Sequence, residues 1–323
     1  MGATHKAVAI PAPGQPLVII DTPTVQPQAG EVLVRVQWTG SSPLDLHQAA
    51  GGLGVTEPNQ RFGDTYAGIV AALGPDVTTL EVGDRVTGFA FEKPQHKAQQ
   101  EYVTVPTYLV SPVPASIPLH AAATVGSSLV TVFHTVTADL GLDLPWPIPQ
   151  GWAPPHADAP VLLWGGAGSV GTFALQVLRH WGYRNVLAVA SARHHAYLRG
   201  LGAAATFDYA EGDVTDKILA HVGEKGAGPR IPFIFDCIGL LSATVEPLTR
   251  VAETGSRVAI LLPVIVRDAT ETEASVFEGD VNKCHEGKWA PDVVLRGVRT
   301  HFYAQVSLVS ISRSPGQNTA DGR

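Results

Sequence analysis

The 323-residue chain has only two cysteines, Cys237 and Cys284, which build neither a disulfide framework nor a cysteine-rich metal centre. It has no basic cluster, and its formal net charge of −7 argues against a nucleic-acid partner. No uninterrupted apolar run approaches the length of a membrane span, so no membrane association is expected. The first residues, MGATHKAVAIPAPG, lack an apolar secretory core, and a cytoplasmic location is the expectation. Internal repeats are absent too. What the chain does have is 45% hydrophobic residues, enough for real cores, at a length suited to two domains. Its 25 prolines gather in connections, notably between Pro145 and Pro160.

The most informative stretch is 158–194, DAPVLLWGGAGSVGTFALQVLRHWGYRNVLAVASARH. Val161–Trp164 is a short apolar run that predicts a buried parallel strand. Gly166-Ala167-Gly168-Ser169-Val170-Gly171 then fits G-x-G-x-x-G. Val170, Phe173, Ala174, Val177, Leu178 and Trp181 follow at helical spacing, Gly182 ends the helix, and Val186–Ala190 predicts a second strand. Alone, the glycines would mark only a turn. Framed by strand, helix and strand they predict a dinucleotide site, in which glycine lets the backbone approach a pyrophosphate and the helix N-terminus offers N–H groups to it.

About 20 residues past such glycines, an NAD site places Asp or Glu on the ribose hydroxyls. Here the second strand runs into Ser191-Ala192-Arg193-His194, with no acid. A hydroxyl followed by a guanidinium suits a 2′-phosphate, so NADPH is the expected cofactor; a solvated loop arginine would show the same letters.

The first part of the chain is β-rich. Glu31–Trp38 sets Val32, Val34 and Val36 on one face, and Gly68–Gly74, Asp84–Phe89 and Tyr102–Val105 predict further strands between glycine turns. Many short strands of this kind suggest a folded-over barrel.

Three segments here, Gly30–Val36, Gly63–Val70 and Val82–Val86, resemble the N-terminal GroES-like domain of medium-chain dehydrogenases/reductases. With the nucleotide unit, the resemblance runs in order from about residue 5 to residue 305. It implies an α/β protein: a GroES-like β-barrel catalytic domain at 1–125, a Rossmann doubly wound parallel-sheet NADP-binding domain at 126–290, and, at 291–323, an incomplete return to the catalytic domain with a disordered tail.

The resemblance also bears on zinc. Zinc-dependent members place a catalytic cysteine at the position of Ser42 and a histidine at that of Asp64, and no cysteine precedes Cys237, so no metal is expected. Zinc-free members reduce a conjugated C=C bond or a quinone. Ser42-Pro43-Leu44-Asp45-Leu46-His47 resembles their N-P-x-D-x-K segment beside the nicotinamide, with His47 in place of lysine as the candidate proton donor. Asp45 also reads as a cap residue, and His47 as a half-exposed side chain.

Residues 121–138 predict a helix resembling the family element that lines the substrate pocket, which makes Thr131, Val132, Phe133 and His134 candidate substrate contacts. The proline-rich insertion, Trp164-Gly165-Gly166, Ser191-x-Arg193-His194 and Phe207-Asp208-Tyr209 resemble the fungal trans-acting enoyl reductases that serve polyketide synthases. In that group the residue at Tyr209 contacts the adenosine part of NADP, and Leu261 and Leu262 lie against the nicotinamide; a packed aromatic and an ordinary buried strand would look the same.

The expectation is an NADPH-dependent trans-acting enoyl reductase acting on an acyl substrate held by a polyketide synthase or its acyl-carrier domain. A stand-alone quinone or 2-alkenal reductase is the alternative within the class. The segment 304–323 departs from the family, which leaves a non-catalytic nucleotide-binding protein as the alternative outside it.

Overall fold

A computed structural model describes residues 2–224, 226–270 and 273–303. The chain forms two compact units: Met1–Leu129 with Ile265–Glu278, and Val130–Val264 with the segment from Gly279 onward.

The first unit contains β1 (Thr4–Ile10), β2 (Val18–Pro23), β3 (Glu31–Gly40), α1 (Pro43–Gly51), β4 (Gln60–Arg61), β5 (Thr65–Leu73), β6 (Arg85–Phe89), β7 (Tyr102–Pro106), β8 (Val110–Pro112) and α2 (Leu119–Ala122). The strands form a three-stranded sheet, β2-β1-β4, and a five-stranded one, β7-β3-β5-β6-β8, both antiparallel. The Ala7–Gln100 bridge, with Val8 N–H on Gln99 O and Glu101 N–H on Lys6 O, joins the sheets into one curled body.

Curvature overrides the simple alternation expected of β3. Val32 and Val34 are buried, but so is Leu33, and Trp38 is 52% exposed. The β3–β5 register shifts between Leu33 and Val34 and again between Val36 and Trp38. Each bulge bends the strand and changes which residue parity faces inward. Trp38 therefore emerges at the surface, edge-on to His120. At Gly68 the strands approach so closely that a Cβ would lie 2.1 Å from Arg35 O.

The second unit contains most of α3 (Gly126–His134), then β9 (Val161–Trp164), α4 (Ser169–His180), β10 (Val186–Val189), α5 (His195–Leu201), β11 (Ala205–Phe207), α6 (Val214–Val222), β12 (Phe233–Asp236), α7 (Glu246–Val251) and β13 (Arg257–Leu261). After β14 (Val264–Arg267) and β15 (Val276–Glu278), which pair with each other, the chain adds β16 (Val294–Val298). One parallel sheet runs β11-β10-β9-β12-β13-β16, a doubly wound order that reverses between β9 and β12. Ligands bind beyond the strand ends at such a reversal. The α4 face is Gly171, Ala174, Leu175, Val177 and Leu178; Leu175 joins the expected set, while Val170 and Phe173 are half-buried.

Two expectations change. Among the described residues from 291, Val294–Val298 form β16, which pairs with β13 from Arg257↔Val294 to Leu261↔Val298 inside the second unit, because Val294, Leu295 and Val298 extend the apolar sheet edge. The segment grouped with the first unit is instead Ile265–Glu278. The tail expectation for 304–323 lies outside the described residues.

The second change concerns the helical stretch Leu119–Asp139, whose 21 residues are long and apolar enough to cross a membrane by length and composition. Serines and threonines interrupt its apolar letters, which hid this in the sequence. Its first turn packs on β3 and β5 and its last, the wide turn Thr135–Asp139, on β13 and β16, as a core element does.

Candidate functional site

The glycine turn at the end of β9 separates what the fold requires from what a ligand requires. A Cβ on Gly171 would lie 2.6 Å from both Gly165 O and Gly166 Cα, and one on Gly166 would lie 2.9 Å from Ala188 Cβ. Those two glycines let α4 pack on the sheet. Gly168 is different: its φ of −71° and ψ of 168° suit any residue, and its Cβ would meet only Gly165 O, at 3.4 Å. Gly168 is the N-cap of α4 and has no side chain to cap it, so no cap side chain takes up the N–H groups of the first turn. A pyrophosphate fits that cradle.

The end of β10 forms the second element. Ser191 Oγ and Tyr209 Oη lie 2.8 Å apart, and Arg193 Nε donates to His194 Nε2 at 3.1 Å. Arg193 is exposed and has no ion pair among the described residues. Sequence reasoning found no acid here, yet Asp208 at the end of neighbouring β11 reaches this turn. It accepts from Ala192 N–H (3.0 Å) and Ala210 N–H (2.9 Å), bonds that hold its carboxyl below the ordinary range. Asp208 thus fixes the turn that carries Ala192, Arg193 and His194. Its place on the next strand, 16 residues from Ala192, gave no local signal.

At the end of β12 the fully buried Asp236 accepts from Thr244 Oγ1 (2.6 Å), Ile238 N–H (3.0 Å) and Gly239 N–H (3.1 Å), while burial pushes its carboxyl up to about 6. Neighbouring Cys237 is buried and its thiol is pushed upward by that burial, as befits a core residue. Leu261 and Leu262 close β13 half-buried; Leu262 packs over Gly297, where a Cβ would lie 2.6 Å from its Cδ1.

Of the four candidate substrate contacts on α3, three have partners inside the second unit. Thr131 Oγ1 lies 2.9 Å from Thr300 Oγ1, and Val132 is wholly buried. Phe133 stands edge-on to Trp181, and His134 Nε2 lies 3.9 Å from Asp139 Oδ2. Burial moves that last pair oppositely, His134 downward and Asp139 up to about 6.

In the first unit, α1 is capped by its own sequence. Ser42 N–H donates to Asp45 Oδ2 and Asp45 N–H to Ser42 O, both at 3.0 Å. Asp45 is buried, which pushes its carboxyl upward. Leu46 is 64% exposed, Leu44 is half-buried, and His47 stands edge-on to Phe277 with burial holding its imidazole below the ordinary value. A residue not singled out in the sequence is Lys97, whose Nζ donates to Asp64 Oδ1 at 3.0 Å with the side chains only 16% and 9% exposed. Nothing local marked it, since 33 residues separate the pair. Among the described residues, no group of three or more His, Cys, Asp or Glu could hold a metal ion.

Residues 28–115 match the alcohol dehydrogenase GroES-like domain. The chain is 34% identical over 235 residues to the trans-enoyl reductase tazE of Aspergillus terreus, covering 70% of this chain and 75% of that protein. It is 34% identical to the trans-enoyl reductase tndF of Aspergillus flavipes (70% of this chain, 66% of that one) and 31% identical to the trans-enoyl reductase resD of Aspergillus sclerotiorum (74% and 68%). Among solved structures, the CurK enoyl reductase shares the fold with a TM-score of 0.74 at 18% identity, over 95% of this chain and 87% of that one. The quinone oxidoreductase of Coxiella burnetii does so with a TM-score of 0.65 at 22% identity, over 96% and 89%. A curled antiparallel first unit, a parallel sheet in doubly wound order and relatives at this level lead to one assignment: the chain belongs to the medium-chain dehydrogenase/reductase family of oxidoreductases, related within it to the fungal trans-enoyl reductases.

Proposed function

We propose that this protein is an NADPH-dependent, zinc-independent reductase of a conjugated C=C bond, acting in trans on an acyl chain carried by a polyketide synthase. The observation that carries the cofactor part is Gly168, a glycine that the fold does not need, at an uncapped helix N-terminus on the switch-point strand. Ser191 and Arg193 on the turn held by Asp208 favour a 2′-phosphate, because a guanidinium and a hydroxyl supply charge-assisted donors to it. For zinc independence the argument is chemical: Ser42 and the Asp64–Lys97 ion pair stand at the two positions where zinc-dependent relatives hold ligands, and an ammonium already satisfies the carboxylate. The carrier-bound acyl substrate and the synthase partner are inferred from what the relatives are named.

NADPH, when bound, supplies a hydride to the β-carbon of the conjugated acyl group. The residues of this chain then have two tasks, to bind the dinucleotide and to orient it: the turn at Gly166–Gly171 and the strand ends at Ser191–His194 and Tyr209 do both. The α-carbon takes its proton from a donor or from water.

The decisive measurement is the affinity of the purified chain for NADPH and NADH, followed by NADPH oxidation with a crotonyl thioester. Preference for NADPH with turnover of the thioester is expected. Turnover of free enones or quinones alone would replace the carrier-bound substrate by a free one. Binding without any turnover would leave a nucleotide-binding protein, and equal affinity for both nucleotides would remove the 2′-phosphate assignment.

A further inference from the structure

The parallel sheet of the second unit ends at β11, and its ladder with β10 stops where both chains leave for their loops. Val189 pairs with Phe207, and Ala190 N–H then donates to Phe207 O at 3.0 Å. Beyond that bond, side chains continue the join. Asp208 Oδ2 accepts from Ala192 N–H at 3.0 Å, and the hydroxyls of Ser191 and Tyr209 lie 2.8 Å apart. The same strand end lies beside the glycine turn, because Gly165 N–H and Gly166 N–H both donate to Val189 O, at 3.0 and 2.9 Å. All of these residues belong to the second unit.

Ala192–His194 is a single tight helical turn with Ser191 as its N-cap, yet Ser191 makes no side-chain cap bond. The first N–H of the turn therefore needs another acceptor. Asp208 supplies it from the neighbouring strand, and its other oxygen is tied by Ala210 N–H at 2.9 Å. His194 N–H closes the turn on Ser191 O at 2.9 Å, and His195 Nε2 lies 2.9 Å from Ala190 O. The exposed guanidinium of Arg193 thus leaves a turn whose backbone is already set. A carboxylate beside a phosphate site also repels the phosphate, but across water and salt that repulsion changes affinity by less than about 3-fold. Holding the turn in place outweighs it, because a loop free to move must lose that freedom when the ligand binds.

We propose that Asp208 is the positioning residue by which this nucleotide site selects a 2′-phosphate: it caps the Ala192–His194 turn from the neighbouring strand and so holds the Ser191 hydroxyl and the Arg193 guanidinium ready for that phosphate. The inference rests on the NADPH reading proposed above. It fixes a sign. If Asp208 acted only as a charge, its removal would tighten NADPH; as a positioning residue, its removal weakens NADPH.

The test measures NADPH and NADH affinity by titration calorimetry on the full chain, with the thermal transition of each variant. Asp208→Ala is expected to weaken NADPH about 10-fold and NADH less than about 2-fold. Asp208→Asn keeps the shape but turns one of the two acceptor oxygens into a donor, so about a 3-fold loss for NADPH is expected. Adenosine 2′,5′-bisphosphate and AMP should repeat the split, the first weakened and the second not. Arg193→Ala is expected to weaken NADPH about 10-fold by itself. Adding Asp208→Ala to it should weaken NADPH by less than about 3-fold more, because the main group that Asp208 positions is gone. Unchanged or tighter NADPH in Asp208→Ala would overturn the proposal. So would equal losses for both nucleotides, which would make Asp208 a structural residue, or a full 10-fold further loss in the Arg193→Ala background. Each of these leaves the parent preferring NADPH. A parent that binds both nucleotides equally would overturn the 2′-phosphate reading itself, and this proposal with it.

Discussion

The two units satisfy their buried charge in different ways. In the first, a buried carboxylate, Asp64, meets the ammonium of Lys97 directly, with Asp45 close by. In the second, the buried carboxyls meet neutral groups. Asp236 accepts from a hydroxyl and two N–H groups, and Asp139 faces the imidazole of His134; burial pushes each of these carboxyls up to about 6. The candidate phosphate donors of the second unit are instead kept outside, on Arg193 and the uncapped end of α4. A surface of backbone N–H groups and exposed cations stays open to an anion arriving from water. The ammonium of Lys97, already held by a carboxylate, is not open in that way. The contrast predicts that nucleotide affinity is lost by changes at the open strand ends and helix end of the second unit.

The largest effect expected in the second unit comes from Gly171→Val. The new side chain would start 2.6 Å from backbone atoms of Gly165 and Gly166, so α4 must shift off the sheet. A loss of about 3 kcal/mol is expected in urea or thermal unfolding, with nucleotide binding lost as well. Gly168→Val separates ligand from fold. Its backbone angles and surroundings accept a side chain, and replacing glycine as N-cap costs about 1 kcal/mol at most. Both NADPH and NADH are expected to weaken about 100-fold or more while the thermal transition moves by a few degrees. Unchanged affinity in titration calorimetry would show that no pyrophosphate approaches this turn.

The difference between these two glycines also shows what could be read before any coordinates. The second unit was legible because its site is local: strand, glycines, helix and strand follow one another within 158–194. In that stretch β9, α4 and β10 lie within a residue or so of where the periodicity placed them. Which glycine serves the fold and which the ligand was not legible, because it depends on Ala188 and Gly165 across the turn. In the first unit the strands were legible and their face was not, since bulges in β3 turn Trp38 outward. The Lys97–Asp64 pair and the hold of Asp208 on Ala192 are contacts between segments brought together only by folding. Asp45, by contrast, was half legible: its cap role follows from Ser42 three residues before it, whereas its burial near Asp64 does not.

A smaller, selective effect is expected of Arg193→Glu. The side chain is exposed and bonds to His194 alone among the described residues, so its charge is available to a ligand and contributes little to the fold. Reversing it should weaken NADPH by about 30-fold and NADH by less than about 3-fold, because only the former brings a phosphate to this turn. Equal losses would place the guanidinium elsewhere on the dinucleotide, and the contrast between an open binding surface and a charge already paired inside the protein would lose its anchor on this strand end.

The smallest effect tests the neutral partnering of buried acids in the second unit. The Asp139 carboxyl has an ordinary value of 3.8 and is pushed up to about 6 in the folded chain by burial, with Arg296 opposing that shift. Between those values the folded state binds more protons than the unfolded one, so the contribution of Asp139 to stability is full below about 4 and is lost as pH rises through about 6. His134, held below its ordinary 6.5, works the other way, because its unfolded form takes up the proton first as pH falls. The two slopes partly cancel in the parent chain. Asp139→Asn removes the first and leaves the second, so the stability of the variant relative to the parent should rise between pH 4 and pH 6, by no more than about 3 kcal/mol, and stay level above that window. Parallel pH–stability curves for parent and variant would mean that Asp139 is ionised in the folded chain. It would then have a cation as its partner, as Asp64 does, and the two units would no longer differ in how they hold a buried carboxylate.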